Sequence, residues 1–162
     1  MKRTLAISAC LLGHRVRYDG GHKAWPLAEK MVELGVTWIP FCPETECGLG
    51  VPREPMRLEG IPEAPTVITI HTRQDHTATL RAWSGQRLTE WGRMAIDGVL
   101  WKGRSPSCGL IGVPVYHASG QQQAMGQGIF ARACQGCFPH LPMTEADRLP
   151  EWQAVTAWIR SW

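Results

Sequence analysis

The chain has 162 residues, 44% of them hydrophobic, with six cysteines, eight tryptophans and a formal net charge of +3. A chain of this length fits one domain, 1–162, and can bury roughly 70% of its unfolded surface, so the cysteines are not needed to hold it together. No apolar run approaches the ~20 residues of a membrane span, and the weak positive charge, without a basic stripe, finger or helix-turn-helix spacing, argues against nucleic acid as a partner.

In chain order, the basic start Met1-Lys2-Arg3 leads into residues 5–9, an apolar run too short for a signal peptide and read as a buried first strand. The expected location is therefore the cytoplasm, where thiols stay reduced and clustered cysteines bind metals or do chemistry. Residues 13–21 form a polar loop. Residues 27–34 have helical apolar spacing that stops at Gly35. Residues 36–41 read as a second strand, closed by Pro43. Residues 44–65 are rich in Pro and Gly and read as a long irregular connection, a kind that is usually functional. A third strand is expected at 67–71 and a helix at 79–96, where Leu80, Trp83, Leu88, Trp91 and Ala95 fall at near-helical spacing. A short strand at 99–102 leads into Ser105-Pro106-Ser107-Cys108-Gly109. A strand at 113–117 and a helix at 129–138 follow. Thr144-Glu145-Ala146-Asp147 carries capping-type residues that open a final helix over 144–162, whose Trp152, Trp158 and Trp162 pack it onto the domain. Strands alternating with helices predict an α/β fold: a single three-layer αβα domain with a mostly parallel, Rossmann-like sheet.

In such a sheet the ligand site lies beyond the carboxyl ends of the strands. Cys10, Cys42 and Cys108 each stand where a strand-like run gives way to a loop marked by Gly13, Pro43 or Gly109. Two readings are open. Free cysteines are commonly buried and inert; alternatively, three thiols at one sheet edge form a metal or cluster site with a free coordination position. Cys134-x-x-Cys137 reads as a redox pair, half a zinc site or two positions on one helix face, the last being favoured. Glu44, held by Pro43 two residues after Cys42, is a candidate general acid–base. Ser105 and Ser107 are candidates to bind substrate or orient water, against ordinary turn chemistry. Arg17 and Arg53 offer planar forks for an anionic or pyrimidine-like edge, against structural ion pairing. The six histidines lack H-x-x-x-H spacing, which disfavours a histidine zinc site.

Taken together, Ser8-Ala9-Cys10-Leu11-Leu12-Gly13, Arg17-Tyr18-Asp19-Gly20, Cys42-Pro43-Glu44 with Gly48-Leu49 and Pro52-Arg53, and Lys102 with Ser105-Pro106-Ser107-Cys108-Gly109 resemble the thiouracil desulfidase (TudS-like) family. Gly126-x-Gly128 near Ala131 looks like the family's last block, so the resemblance covers about residues 4–140. It implies a [4Fe-4S] cluster with three cysteine ligands, Cys10, Cys42 and Cys108, and one open iron. It further implies non-redox desulfuration of thiouracil or a related thiolated nucleobase to uracil and hydrogen sulfide. On that resemblance the thiobase sulfur is expected to bind the open iron, and water activated by Glu44 and positioned with help from Ser105 is expected to attack the ring carbon. Arg17, Asp19, Lys102 and Ser107 are then expected to bind substrate. Iron–sulfur assembly machinery is expected for maturation, and the state is monomer or homodimer. The rival readings are a sulfur transferase acting on a nucleotide or tRNA, a zinc hydrolase, and a non-catalytic iron–sulfur sensing module.

Overall fold

The computed structural model describes residues 2–162. Along the chain run β1 (Arg3–Ser8), a 3-10 turn (Ala9–Leu12), α1 (Ala28–Glu33), β2 (Val36–Phe41), α2 (Pro43–Glu46), β3 (Met56–Ile61), β4 (Ala64–Thr69), α3 (Thr77–Trp91), β5 (Gly98–Trp101), β6 (Val113–Tyr116), β7 (Gln122–Gly126), α4 (Ile129–Cys137), β8 (Met143–Glu145), a second 3-10 turn (Ala146–Arg148) and α5 (Trp152–Arg160).

The parallel sheet read from the sequence is present, in the order β2-β1-β5-β8. Its central strand pairs on both edges, with Leu5 opposite Trp38 and Gly98. Strands covered on both faces carry continuous apolar runs, and the alternation within them separates two cores. Leu5, Ile7 and Leu100 face one way, with Met31 of α1 and Val155 of α5. Ala6, Val99 and Trp101 face the other way, with Leu88 and Trp91 of α3 and Phe130 of α4. Phe41 sits 5.2–5.3 Å from the rings of Trp91, Trp101 and Phe130, all edge to face, an arrangement worth about 0.5–1.5 kcal/mol per pair beyond burial. The terminal tryptophans Trp152, Trp158 and Trp162 pack against the first core, as the sequence indicated.

The sequence reading did not resolve a second sheet, ordered β4-β3-β6-β7. The β3–β4 and β6–β7 pairs are antiparallel, and β3 pairs with β6 in parallel. Its inner face (Leu58, Val67, Val113 and Val115) packs on Leu80 of α3 and Ile129 of α4. The two helices are thus shared between the sheets. Residues 44–65, expected to be irregular throughout, contain most of α2, all of β3 and the start of β4. The strand expected at 67–71 begins at Ala64 instead and stops at Thr69. The final helix begins at Trp152, not at Thr144. Thr144 is instead the middle of β8, opposite Leu100. A buried neighbour on the sheet edge overrides the capping pattern. Among the described residues, no helix is long and apolar enough to cross a membrane.

Candidate active site

The three loops that follow β1, β2 and β5 lie side by side because those strands are adjacent and parallel, and each loop carries one of the three thiols. Cys10 sits in the 3-10 turn directly after β1, which Gly13 closes in the left-handed conformation at φ 86°. Cys42 follows β2 in extended conformation, and Pro43 at the first helical position turns the chain into α2. A fixed proline φ and a missing N–H suit that position. The Cys42 N–H is held by Glu46 Oε2 at 2.6 Å. After β5, the Lys102 N–H donates to Ser8 Oγ at 2.9 Å, tying the ends of β5 and β1 together.

The loop with Cys108 is fixed from three directions. Ser105 Oγ accepts the Cys108 N–H at 2.7 Å. Buried Glu145, at the end of β8, accepts the N–H groups of Leu110 and Ile111 through one oxygen, at 2.8 and 3.0 Å. The carbonyls of Pro106 and Ser107 accept the first N–H groups of α4, from Ile129, Phe130 and Ala131 at 3.0–3.2 Å. Those N–H groups have no partner inside their own helix, so the loop and the helix satisfy each other. Gly128 packs so closely on this loop that a Cβ there would lie 2.6 Å from the Ser107 carbonyl carbon, which explains the glycine of the last sequence block.

Cys10, Cys42 and Cys108 line one cavity of about 190 Å3, together with Glu44, Ser105, Ser107, Arg17 and Lys102. Burial pushes the Cys10 thiol up to about 11, with Lys102 opposing the shift and neighbouring Cys42 adding to it. Burial also lifts Cys108 far above the usual thiol range, and Cys42 and Cys10 raise it further. Cys42 therefore lies close enough to Cys10 and Cys108 to oppose their ionisation.

Glu44 is buried at 8% exposure between two partners. Ser107 Oγ donates to its Oε1 at 3.0 Å. Arg53 reaches its Oε2 with both Nε and Nη2 at 2.8 Å. Ser107 Oγ also lies 3.3 Å from Ser105 Oγ. Tyr18, Pro55, Met56, Phe41 and Val16 supply flatter, mostly apolar wall, and Arg104 completes the rim.

Asp19 is the one expected substrate-binding residue outside the cavity lining. Its carboxylate accepts the Gly21 N–H at 2.9 Å and lies 3.8 Å from Arg17 in an exposed turn. Of the other cysteines, Cys134 is fully buried in the core behind the site, where burial pushes it up to about 12, and Cys137 is exposed. This is the helix-face reading. Cys47 is half-buried, with its Sγ 3.4 Å from the Glu44 carbonyl. The sequence offered Arg53 as a planar fork for substrate or as a structural ion pair, and the structure pairs it with Glu44, a partner the sequence did not name. Its signal was its distance of nine residues from Glu44 across a loop too irregular to thread by pattern.

Among the described residues, no three His, Cys, Asp or Glu side chains close on a point as they would around a single metal ion. The donor set fits an iron–sulfur group: three thiols, those of Cys10 and Cys108 buried and that of Cys42 half-buried, form a soft set of the kind such clusters use, and binding deprotonates such thiols.

The chain matches the model of the 2-thiouracil desulfurase family over residues 5–146. It is 28% identical over 110 residues to the Bacillus subtilis (strain 168) protein YbbK, described as uncharacterized, covering 65% of this chain and 72% of that one. It superposes on the solved structure of the [4Fe-4S]-dependent thiouracil desulfidase TudS with a TM-score of 0.72 and 29% identity, covering 96% of this chain and 99% of the other. The α/β architecture, the site at the strand ends and the match across nearly the whole sequence agree: this chain belongs to the 2-thiouracil desulfurase family.

Proposed function

We propose that this protein removes the exocyclic sulfur of thiouracil or a related thiolated nucleobase at a [4Fe-4S] cluster held by Cys10, Cys42 and Cys108. The observation that carries the reading is the convergence of three thiols, two buried and one half-buried, and a buried, hydrogen-bonded carboxylate in one cavity. Family membership and the likeness to a [4Fe-4S]-dependent thiouracil desulfidase support it. The reaction is a hydrolysis: the carbon–sulfur double bond is replaced by a carbon–oxygen double bond, and both protons of one water end on sulfur as hydrogen sulfide. No electron is gained or lost, so no reductant or flavin is required.

When bound, the cluster supplies a thiophilic Lewis acid that polarises the carbon–sulfur bond. The protein supplies the rest. Glu44 Oε1 takes the proton of the attacking water, a contribution typically worth 10²–10⁴ in rate. The Ser107 hydroxyl, already donating to Oε1, holds that oxygen in place. Because Ser107 gives its one proton to Glu44, the hydroxyl of Ser105 donates to Ser107, while its own oxygen accepts the Cys108 N–H. Ser107 is thus the serine beside the base, and Ser105 fixes the cysteine loop. Lys102 and Arg17 bring positive charge to Cys10 and favour its thiolate. Val16, Tyr18, Pro55 and Met56 offer a flat apolar slot for the ring and limit water.

Glu44→Gln tests the reading. The expected result is a loss of thiouracil turnover of about 10²–10⁴-fold, with iron and acid-labile sulfide content retained. Undiminished turnover, or loss of the cluster, would remove Glu44 from the role of base.

A further inference from the structure

We infer that Arg53 is the positioning residue for Glu44: it fixes one carboxylate oxygen so that the other faces the cavity. This rests on Glu44 acting as the base, and it concerns an arginine that lines the same cavity but directs its guanidinium at Glu44 and at two backbone carbonyls. An arginine meeting a carboxylate usually engages both oxygens in parallel with its fork. Here both contacts, from Nε and Nη2 at 2.8 Å, converge on Oε2 alone. Oε1 is left with the Ser107 hydroxyl as its one protein donor among the described residues. A side-on pairing of this kind does not neutralise the working oxygen directly. It stops the carboxylate from rotating its two oxygens.

The guanidinium is itself immobilised. Its side chain is only 8% exposed. Nη2 donates to the Val16 carbonyl at 2.9 Å and Nη1 to the Gly50 carbonyl at 2.9 Å. The Arg53 backbone N–H donates to the Tyr18 carbonyl at 2.9 Å. One residue therefore joins the loop after β1, the loop after β2 and its own segment. Glu44 is held against that frame. The planar fork does this and a lysine cannot, since an ammonium is a point charge that does not direct several fixed donors at once.

The test compares Arg53→Lys and Arg53→Gly with the parent protein and with Glu44→Gln, all reconstituted anaerobically with iron and sulfide and assayed with 2-thiouracil. A catalytic group misplaced by about 1 Å costs on the order of 10²-fold. Arg53→Lys is expected to lose about that much in kcat, with KM little changed and with parental iron and acid-labile sulfide content. Millimolar guanidinium is expected to restore part of the kcat of Arg53→Gly. A readout independent of the cluster is the crystal structure of metal-free Arg53→Lys, in which the Glu44 carboxylate should be rotated away from Ser107. The inference is overturned if Arg53→Lys keeps parental kcat while Glu44→Gln is silent, if Glu44 is unmoved in the Lys variant, or if the loss appears in iron content and not in kcat. Parental turnover by Glu44→Gln would instead overturn the assignment of the base.

Discussion

Replacing Gly128 by alanine should unseat the cysteine loop without replacing any side chain that bears chemistry. The added Cβ would lie 2.6 Å from the Ser107 carbonyl carbon, 2.7 Å from its oxygen and 2.8 Å from the Gly109 nitrogen. All three are backbone atoms, so no side chain can swing aside, and α4 must move off the loop. That movement strains the hydrogen bond from the Gly128 N–H to the Gly109 carbonyl, at 2.7 Å, and those from Ile129 and Phe130 to Pro106 and Ser107, each at 3.0 Å. Overpacking costs roughly 1–3 kcal/mol and two or three weakened hydrogen bonds about 1 kcal/mol each, a total of about 3–6 kcal/mol. A domain of this size loses about 2–4 °C in Tm per kcal/mol, so the melt should fall by roughly 6–24 °C. Gly136, in the same helix with nothing within 4 Å of an added Cβ, is the control; Gly136→Ala should be neutral or gain about 0.4–1 kcal/mol. Thermal melts followed by circular dichroism decide the matter, with iron content after reconstitution as a second reading. A Gly128→Ala protein that melts within a degree or two of the parent would refute the close-approach argument.

Two further outcomes follow from the placement of other groups. Cys47→Ser and Cys137→Ser should leave iron and acid-labile sulfide content unchanged, because neither residue lines the cavity; loss of iron in either would contradict the proposed ligand set. Arg73 and Arg57 hold the Glu59 carboxylate below its usual 4.5. A depressed carboxylate stabilises the fold above its unfolded value, and that contribution is lost as the pH falls through the folded one. Tm should therefore drop on acidification below about pH 4.5, and the acid limb should be shallower in Glu59→Gln; identical limbs would mean that the cluster of Glu59, Arg57 and Arg73 contributes nothing to acid sensitivity.

What the sequence revealed follows from which signals are local. Residues 36–41 are a strand because β-rich character ends at Pro43, and the structure keeps both boundaries. The three thiols were readable as one site because each closes a strand of a parallel sheet, and parallel neighbours deliver their carboxyl ends to a common edge. The second sheet was not readable in the same way. Its outer strand β7 is exposed, polar at Gln122 and Gln123, and lacks the alternation that marks a half-buried strand. Strand β8 has three residues, too few for a period, and its capping-type residues point to a helix. Asp19 and Arg53 show the limit within the site itself. Both sit in polar loops that pattern alone treats alike, yet one ends in an exposed turn and the other is buried against Glu44. Only the path of the loops distinguishes them.

The central claim concerns where sulfur is removed, and one measurement reaches it most directly. The protein is reconstituted anaerobically with iron and sulfide, and loss of thiouracil is followed by its ultraviolet absorption while released sulfide is trapped, in the parent and in Cys10→Ala, Cys42→Ala and Cys108→Ala. The account predicts turnover that requires reconstitution, releases one sulfide for each thiouracil consumed, and disappears in all three variants. Turnover that survives in any of the three, or a fully formed cluster that leaves thiouracil untouched, would contradict it.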